Sequence, residues 1–89
     1  MAIHLVTWDL IKDKDYKRLL NRIDQYEGCR PMLSMAIIKT NLTSVELRDD
    51  LNKYIDSDDK LMVVQMQNYW GTTFRNSCIE WMISETAKL

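Results

Sequence analysis

The chain has 89 residues, 46% of them hydrophobic and 28% charged, with a formal net charge of −1 at neutral pH. That is enough sequence for one hydrophobic core and too little for two, and the charge balance offers no overall attraction for nucleic acid. No apolar run approaches the ~20 residues of a membrane span, and the amino terminus lacks the pattern of a secretory leader, so no membrane partner and a cytoplasmic location are expected.

A domain this small buries only roughly 60–65% of the surface its unfolded chain exposes, which makes pairing with a second copy a useful source of further burial. A homodimer is the expectation. Cys29 and Cys78 stand far apart and outside any CxxC or Cys-rich context, which fits reduced thiols better than a disulfide framework or a zinc site.

In chain order, the first element is a strand over residues 3–8, within the stretch HLVTWDL that runs on to Leu10. Ile3, Leu5 and Thr7 face one way and His4, Val6 and Trp8 the other. Both sets are largely apolar, as in a central strand. Asp9 is the first residue past it. Tyr16, Leu19, Leu20, Ile23 and Tyr26 then recur at helical spacing, with Asp13 or Asp15 to cap the start and Gly28 to stop the end, giving a helix of about three turns. RPMLSMAIIK, residues 30–39, is β-capable but carries Pro31. It reads either as one bulged strand or as two short strands breaking near Leu33–Ser34.

Thr43-Ser-Val-Glu46 has the T-x-x-E pattern of a capping box, and Leu47, Leu51, Tyr54 and Ile55 supply the buried stripe of a second helix. DSDDK, residues 56–60, is a turn, and LMVVQM, residues 61–66, another strand. A third helical pattern places Phe74, Cys78, Trp81 and Met82 on one side, with SETAKL fraying beyond it. The order strand, helix, strand region, helix, strand is that of a single α+β domain of the ferredoxin-like kind, with helices on one face of the sheet and a C-terminal helix added.

Several chemistries drop out. His4 is the sole histidine and Gly28 and Gly71 stand alone, so a His-rich metal site and a phosphate-cradling glycine loop are both excluded. A Ser–His or Cys–His pair needs mid-strand His4 to meet a distant nucleophile, and packing is the simpler role. Trp8 and Trp81 read as core. Tyr69 and Trp70, beside Gly71 in a turn, are the candidate partner-binding surface. Lys14, Arg18 and Arg22, spaced four apart, make one ridge of the first helix and are the candidate nucleic-acid contacts, with pairing to nearby acids as the alternative.

LVTWDL ending the first strand, a helix closing on YEG, the segment CRPMLSMAIIKTNLTSVELRDDLNKYID, and DDKLMVVQM together resemble the CRISPR-associated protein 2 family, over roughly Ile3 to Met66. Related toxins of the virulence-associated protein D type share this fold and the early acid. The resemblance implies a ferredoxin-like homodimer in which Asp9, the acid ending the first strand, meets its dimer mate. It also implies that Ser34 lies nearby, and that magnesium held by the paired acids serves phosphodiester cleavage of RNA or DNA. Many members of the family act instead as a dimeric scaffold beside an integrase. Two features depart from the family pattern. IKDKDYKR follows Asp9 where an Arg-rich run is common, and a helix around Ser77–Met82 stands where a final strand often crosses to the other protomer.

Asp9 has a physical case of its own. Magnesium is held by one or two carboxylates plus waters, and two symmetry-related acids suffice. Beside it stands the simpler reading, in which Asp9 accepts backbone hydrogen bonds in a turn. Two functions follow: a metal-dependent endoribonuclease or deoxyribonuclease with Asp9 and Ser34 at its centre, or a non-catalytic dimeric module, a toxin–antitoxin component included, that binds nucleic acid or a protein partner.

Overall fold

The computed structural model describes residues 1–10 and 16–89. β1 (Ala2–Asp9), α1 (Lys17–Ile23), β2 (Glu27–Met32), β3 (Met35–Thr40), α2 (Ser44–Leu51), β4 (Lys60–Gln65) and α3 (Ser77–Thr86) follow in order, with a 3₁₀ turn at Asn52–Tyr54. The strands form one antiparallel sheet in the order β2-β3-β1-β4. This is the ferredoxin-like arrangement, with β1 central as its two-sided apolar pattern requires.

Strand alternation sorts the core into two layers. Val6 and Trp8 of β1 and Ala36 and Ile38 of β3 face α1 and α2, where Leu19, Ile23, Leu47 and Leu51 complete a buried cluster. On the opposite face Ile3 and Ile37 pack against Cys78, Ile79 and Met82 of α3. α3 thus covers one half of that second face. Its other half, toward the end of β1, leaves Met32, Met62 and Val64 exposed.

His4 is fully buried on the α1/α2 face. Its Nε2 lies 3.0 Å from the Leu42 carbonyl, and Ser44 Oγ lies 3.3 Å from Nδ1. A carbonyl only accepts, so Nε2 carries the proton and Nδ1 accepts from the Ser44 hydroxyl. The packed role expected of His4 is the observed one. A serine does reach it, but at a fully buried ring where it pins the start of α2 to the sheet.

Local signals held where their partners are close in sequence. The capping box is complete, with Thr43 Oγ1 accepting from Glu46 N–H at 3.1 Å and Glu46 accepting from Thr43 N–H at 2.9 Å. The 30–39 segment is two strands broken at Leu33–Ser34, and the register of β2 on β3 is irregular between Cys29 and Met32, around Pro31.

Other expectations are corrected. α1 ends at Ile23, so Tyr26 lies beyond it. Gly28 sits inside β2, where an added Cβ would stand 2.0 Å from the Ile37 carbonyl oxygen. It serves strand approach rather than helix termination. The caps expected at Asp13 and Asp15 lie outside the described residues. SETAKL does not simply fray, because Ser84–Thr86 are helical, Glu85 pairs with Lys39 at 3.1 Å, and buried Thr86 accepts from Trp70 Nε1 at 3.0 Å.

The cysteines are the largest correction. Cys29 and Cys78 form a disulfide, Cα atoms 5.6 Å apart, rather than two reduced thiols. Folding α3 back across the sheet brings the edge strand β2 to the first turn of α3 across 49 residues, a proximity that spacing in the chain conceals. The expectation of a reducing, cytoplasmic location therefore loses the support it drew from free thiols.

Candidate functional site at the open end of the sheet

Four chain segments converge where β1 runs out. Asp9 ends β1 in register with Lys60, the first residue of β4. The β2–β3 turn arrives beside it, where the Ser34 carbonyl accepts from Trp8 N–H at 3.2 Å and from Thr7 Oγ1 at 3.0 Å. Asp9 alternates with Leu5 and Thr7, so it lies on the sheet face that α3 only half covers, and both Asp9 and Ser34 are exposed. The structure therefore sets the Ser34 backbone beside Trp8, one residue before Asp9, and shows no contact between the Asp9 and Ser34 side chains.

The turn leading into β4, expected from the sequence only as a turn, adds carboxylates. Asp56, Asp58 and Asp59 each place one carboxylate oxygen within 4.8 Å of the others. The turn is tied by Asp59 N–H donating to the Asp56 carbonyl at 3.1 Å and by Asp56 N–H donating to Asp59 Oδ2 at 2.9 Å. The signal was the run DSDDK itself, whose three acids lie within four residues, close enough for one turn to aim them together. Hard oxygen donors of this kind suit a magnesium- or calcium-like cation. Lys60, opposite Asp9, sets a positive charge at the same edge and opposes cation entry from that side.

The basic ridge divides. Arg22 is committed within the fold: Nε donates to Asp50 Oδ2 at 2.8 Å and Nη2 to Oδ1 at 3.1 Å, with the guanidinium 5.0 Å from the Tyr26 ring centroid and 5.9 Å from that of Tyr54. Tyr26 also donates its hydroxyl to Asp50. Arg22 holds the Asp50 carboxyl below its ordinary range, while burial, and then the hydrogen bond to Asp50, push the Tyr26 phenol up to about 12. Arg18 is exposed and spends one donor on the Lys53 carbonyl at 3.2 Å. Lys14 lies outside the described residues.

The Tyr69–Trp70 pair separates as well. Tyr69 is 88% exposed, whereas Trp70 packs against the α3 cluster with its indole N–H on Thr86. Beside Trp70 a groove of about 510 Å³ opens between α3 and the sheet, lined by Leu5, Met32, Met35, Phe74 and Met82 among others. Among the described residues no helix is long and apolar enough to cross a membrane. No protein-family model matches the chain, and no solved structure matches it.

Proposed function

We propose that the chain is a homodimeric ferredoxin-like module of the CRISPR-associated protein 2 kind that works on nucleic acid, cleaving phosphodiester bonds with a divalent metal held at the open end of the sheet. The observation that carries this reading is the position of Asp9: exposed at the end of the central strand, beside the Ser34 turn, at the sheet end where the acidic turn enters β4. Magnesium held at Asp9 would keep most of its waters, and such an ion supplies a nucleophilic water and stabilises charge on the phosphate. Ser34, with a hydroxyl on an exposed turn, would orient substrate. Among the described residues of the ridge, Arg18 is the phosphate contact retained once Arg22 is committed to Asp50.

Manganese binding, followed by the loss of the free-ion paramagnetic resonance signal, tests the ligand. Asp9→Ala is expected to weaken binding at least tenfold in a folded protein. Weakening by Asp56→Asn or Asp58→Asn with none from Asp9→Ala would assign the ion to the turn alone and remove Asp9 from the chemistry.

A non-catalytic module is the second reading, favoured by the 88% exposure of Tyr69 and the apolar groove near it. Under it Asp9→Ala is silent. Tyr69→Ala then weakens capture of a protein partner, and Arg18→Ala weakens nucleic-acid binding with a salt slope reduced by about 1.

A further inference from the structure

The two edges of the sheet are unlike. β2 carries Pro31 and an irregular register between Cys29 and Met32, and the disulfide fastens α3 beside it. These features make an edge a poor template for another strand. β4 has none of them. Its pairing with β1 runs unbroken from His4↔Gln65 to Asp9↔Lys60, it lacks proline, and it exposes Met62 and Val64, at 61% and 47%, on one face.

Its backbone is also self-complementary. Met66 N–H donates to the Ile3 carbonyl at 2.7 Å, which fixes the phase of the ladder. Residues 62, 64 and 66 turn their backbone groups toward β1, so Leu61, Val63 and Gln65 turn theirs outward. A two-fold axis through Val63 sets Val63 against the second copy's Val63 and Leu61 against its Gln65, all at outward-facing positions. The same register sets Met62 opposite Val64 twice on the exposed face, at the closer, non-hydrogen-bonded positions where apolar side chains interact best. Lys60, the one charged residue of the strand, then meets Met66 rather than a second Lys60. A slip of two residues loses one of these outward pairs.

We propose that β4 is the dimerisation edge: a second copy of this chain lays its own β4 antiparallel against it about Val63, joining two sheets into one. The proposal rests on the homodimer of the preceding reading and gives it a geometry. The pairing is isologous and closes at two copies, because the outer edges left over are the blunted β2 strands. It also places the two Asp9 Cα atoms roughly 25 Å apart, since each lies three residues along and about one and a half strand spacings from the axis. The two Asp9 residues then do not meet, whereas the resemblance implies that they do.

Sedimentation equilibrium on the full chain tests both the edge and the register. Met62→Lys with Val64→Lys in one chain faces lysine with lysine twice and is expected to weaken dimerisation at least tenfold. Met62→Lys with Val64→Glu faces lysine with glutamate and is expected to restore it. Both positions are exposed, so circular dichroism should show an unchanged fold, and Val63→Pro, which removes an outward N–H, should also give a folded monomer. A monomeric wild type, a Lys/Lys chain that still dimerises, or a Lys/Glu chain as monomeric as the Lys/Lys chain would overturn the proposal. Loss of metal binding or cleavage in an intact dimer would bear on Asp9 alone.

Discussion

Arg22 of α1 grips Asp50 of α2 through a two-pronged hydrogen bond at 2.8 and 3.1 Å, 28 residues apart in the chain. With Tyr26 donating to the same carboxylate, the pair fastens two helices that also share the apolar cluster beneath them. A guanidinium fork on a carboxylate is the strong form of such a contact, and here the Asp50 side chain is only 16% exposed.

Asp50→Ala should therefore destabilise the protein by about 1–2 kcal/mol, a figure reduced for the solvent that still reaches Arg22. Urea denaturation measures it. The pH dependence follows from the shifts. Asp50 lies below its ordinary pKa, so its contribution is present above the unfolded value and is lost as pH falls through the lower, folded one. Tyr26 is raised to about 12, so its contribution is present below 10 and is lost as pH rises toward 12. Asp50→Ala should flatten both limbs of the stability–pH curve.

The disulfide closes a loop spanning 49 residues of sequence separation. On the chain-entropy model that cross-link contributes about 4 kcal/mol, so reductant, or Cys29→Ser with Cys78→Ser, should lower the melting temperature sharply. Thiol titration of the untreated, denatured protein should find no free cysteine.

His4→Phe keeps an aromatic ring, somewhat larger than the imidazole, but leaves the part-buried Leu42 carbonyl and Ser44 hydroxyl without their partner. A loss of about 2–4 kcal/mol is expected in thermal or urea unfolding. Ser44→Ala should cost less, because it strands only one acceptor nitrogen.

Gly28→Ala should be disproportionately costly for so small a change. The new methyl would meet the Ile37 carbonyl oxygen, a backbone atom that cannot turn aside as a side chain can. Separating β2 from β3 by enough to admit it should cost about 1–3 kcal/mol, read as a lower melting temperature. Gly71→Ala, at a position with nothing within 4 Å of the added carbon, should leave stability nearly unchanged.

The sequence is most legible where cause and effect are close neighbours. Thr43 and Glu46 form their capping box three residues apart, and the two-sided apolar pattern of residues 3–8 places β1 centrally because each side chain reports its own face. Long-range partnerships are hidden. Nothing around Cys29 or Cys78 announces the bond between them, and Arg22 looks like a free ridge cation until α2 brings Asp50 to it. The same holds for Trp70, which resembles a contact residue until Thr86 folds back to receive its N–H. At the candidate site, Asp9 and Ser34 came from strand endings and the family resemblance. The clustering of Asp56, Asp58 and Asp59 needed the turn geometry that aims their carboxylates together.

Cleavage of labelled single-stranded RNA and double-stranded DNA by wild type and Asp9→Ala, in magnesium, manganese and chelator, bears most directly on the proposed chemistry, once both proteins are shown to share one fold and one oligomeric state. The predicted result is cutting by the wild type in either metal, abolished by chelator and reduced at least a hundredfold by Asp9→Ala. Equal cutting by the two proteins, or none by either in any metal, would contradict it and leave Asp9 as the residue that ends a strand.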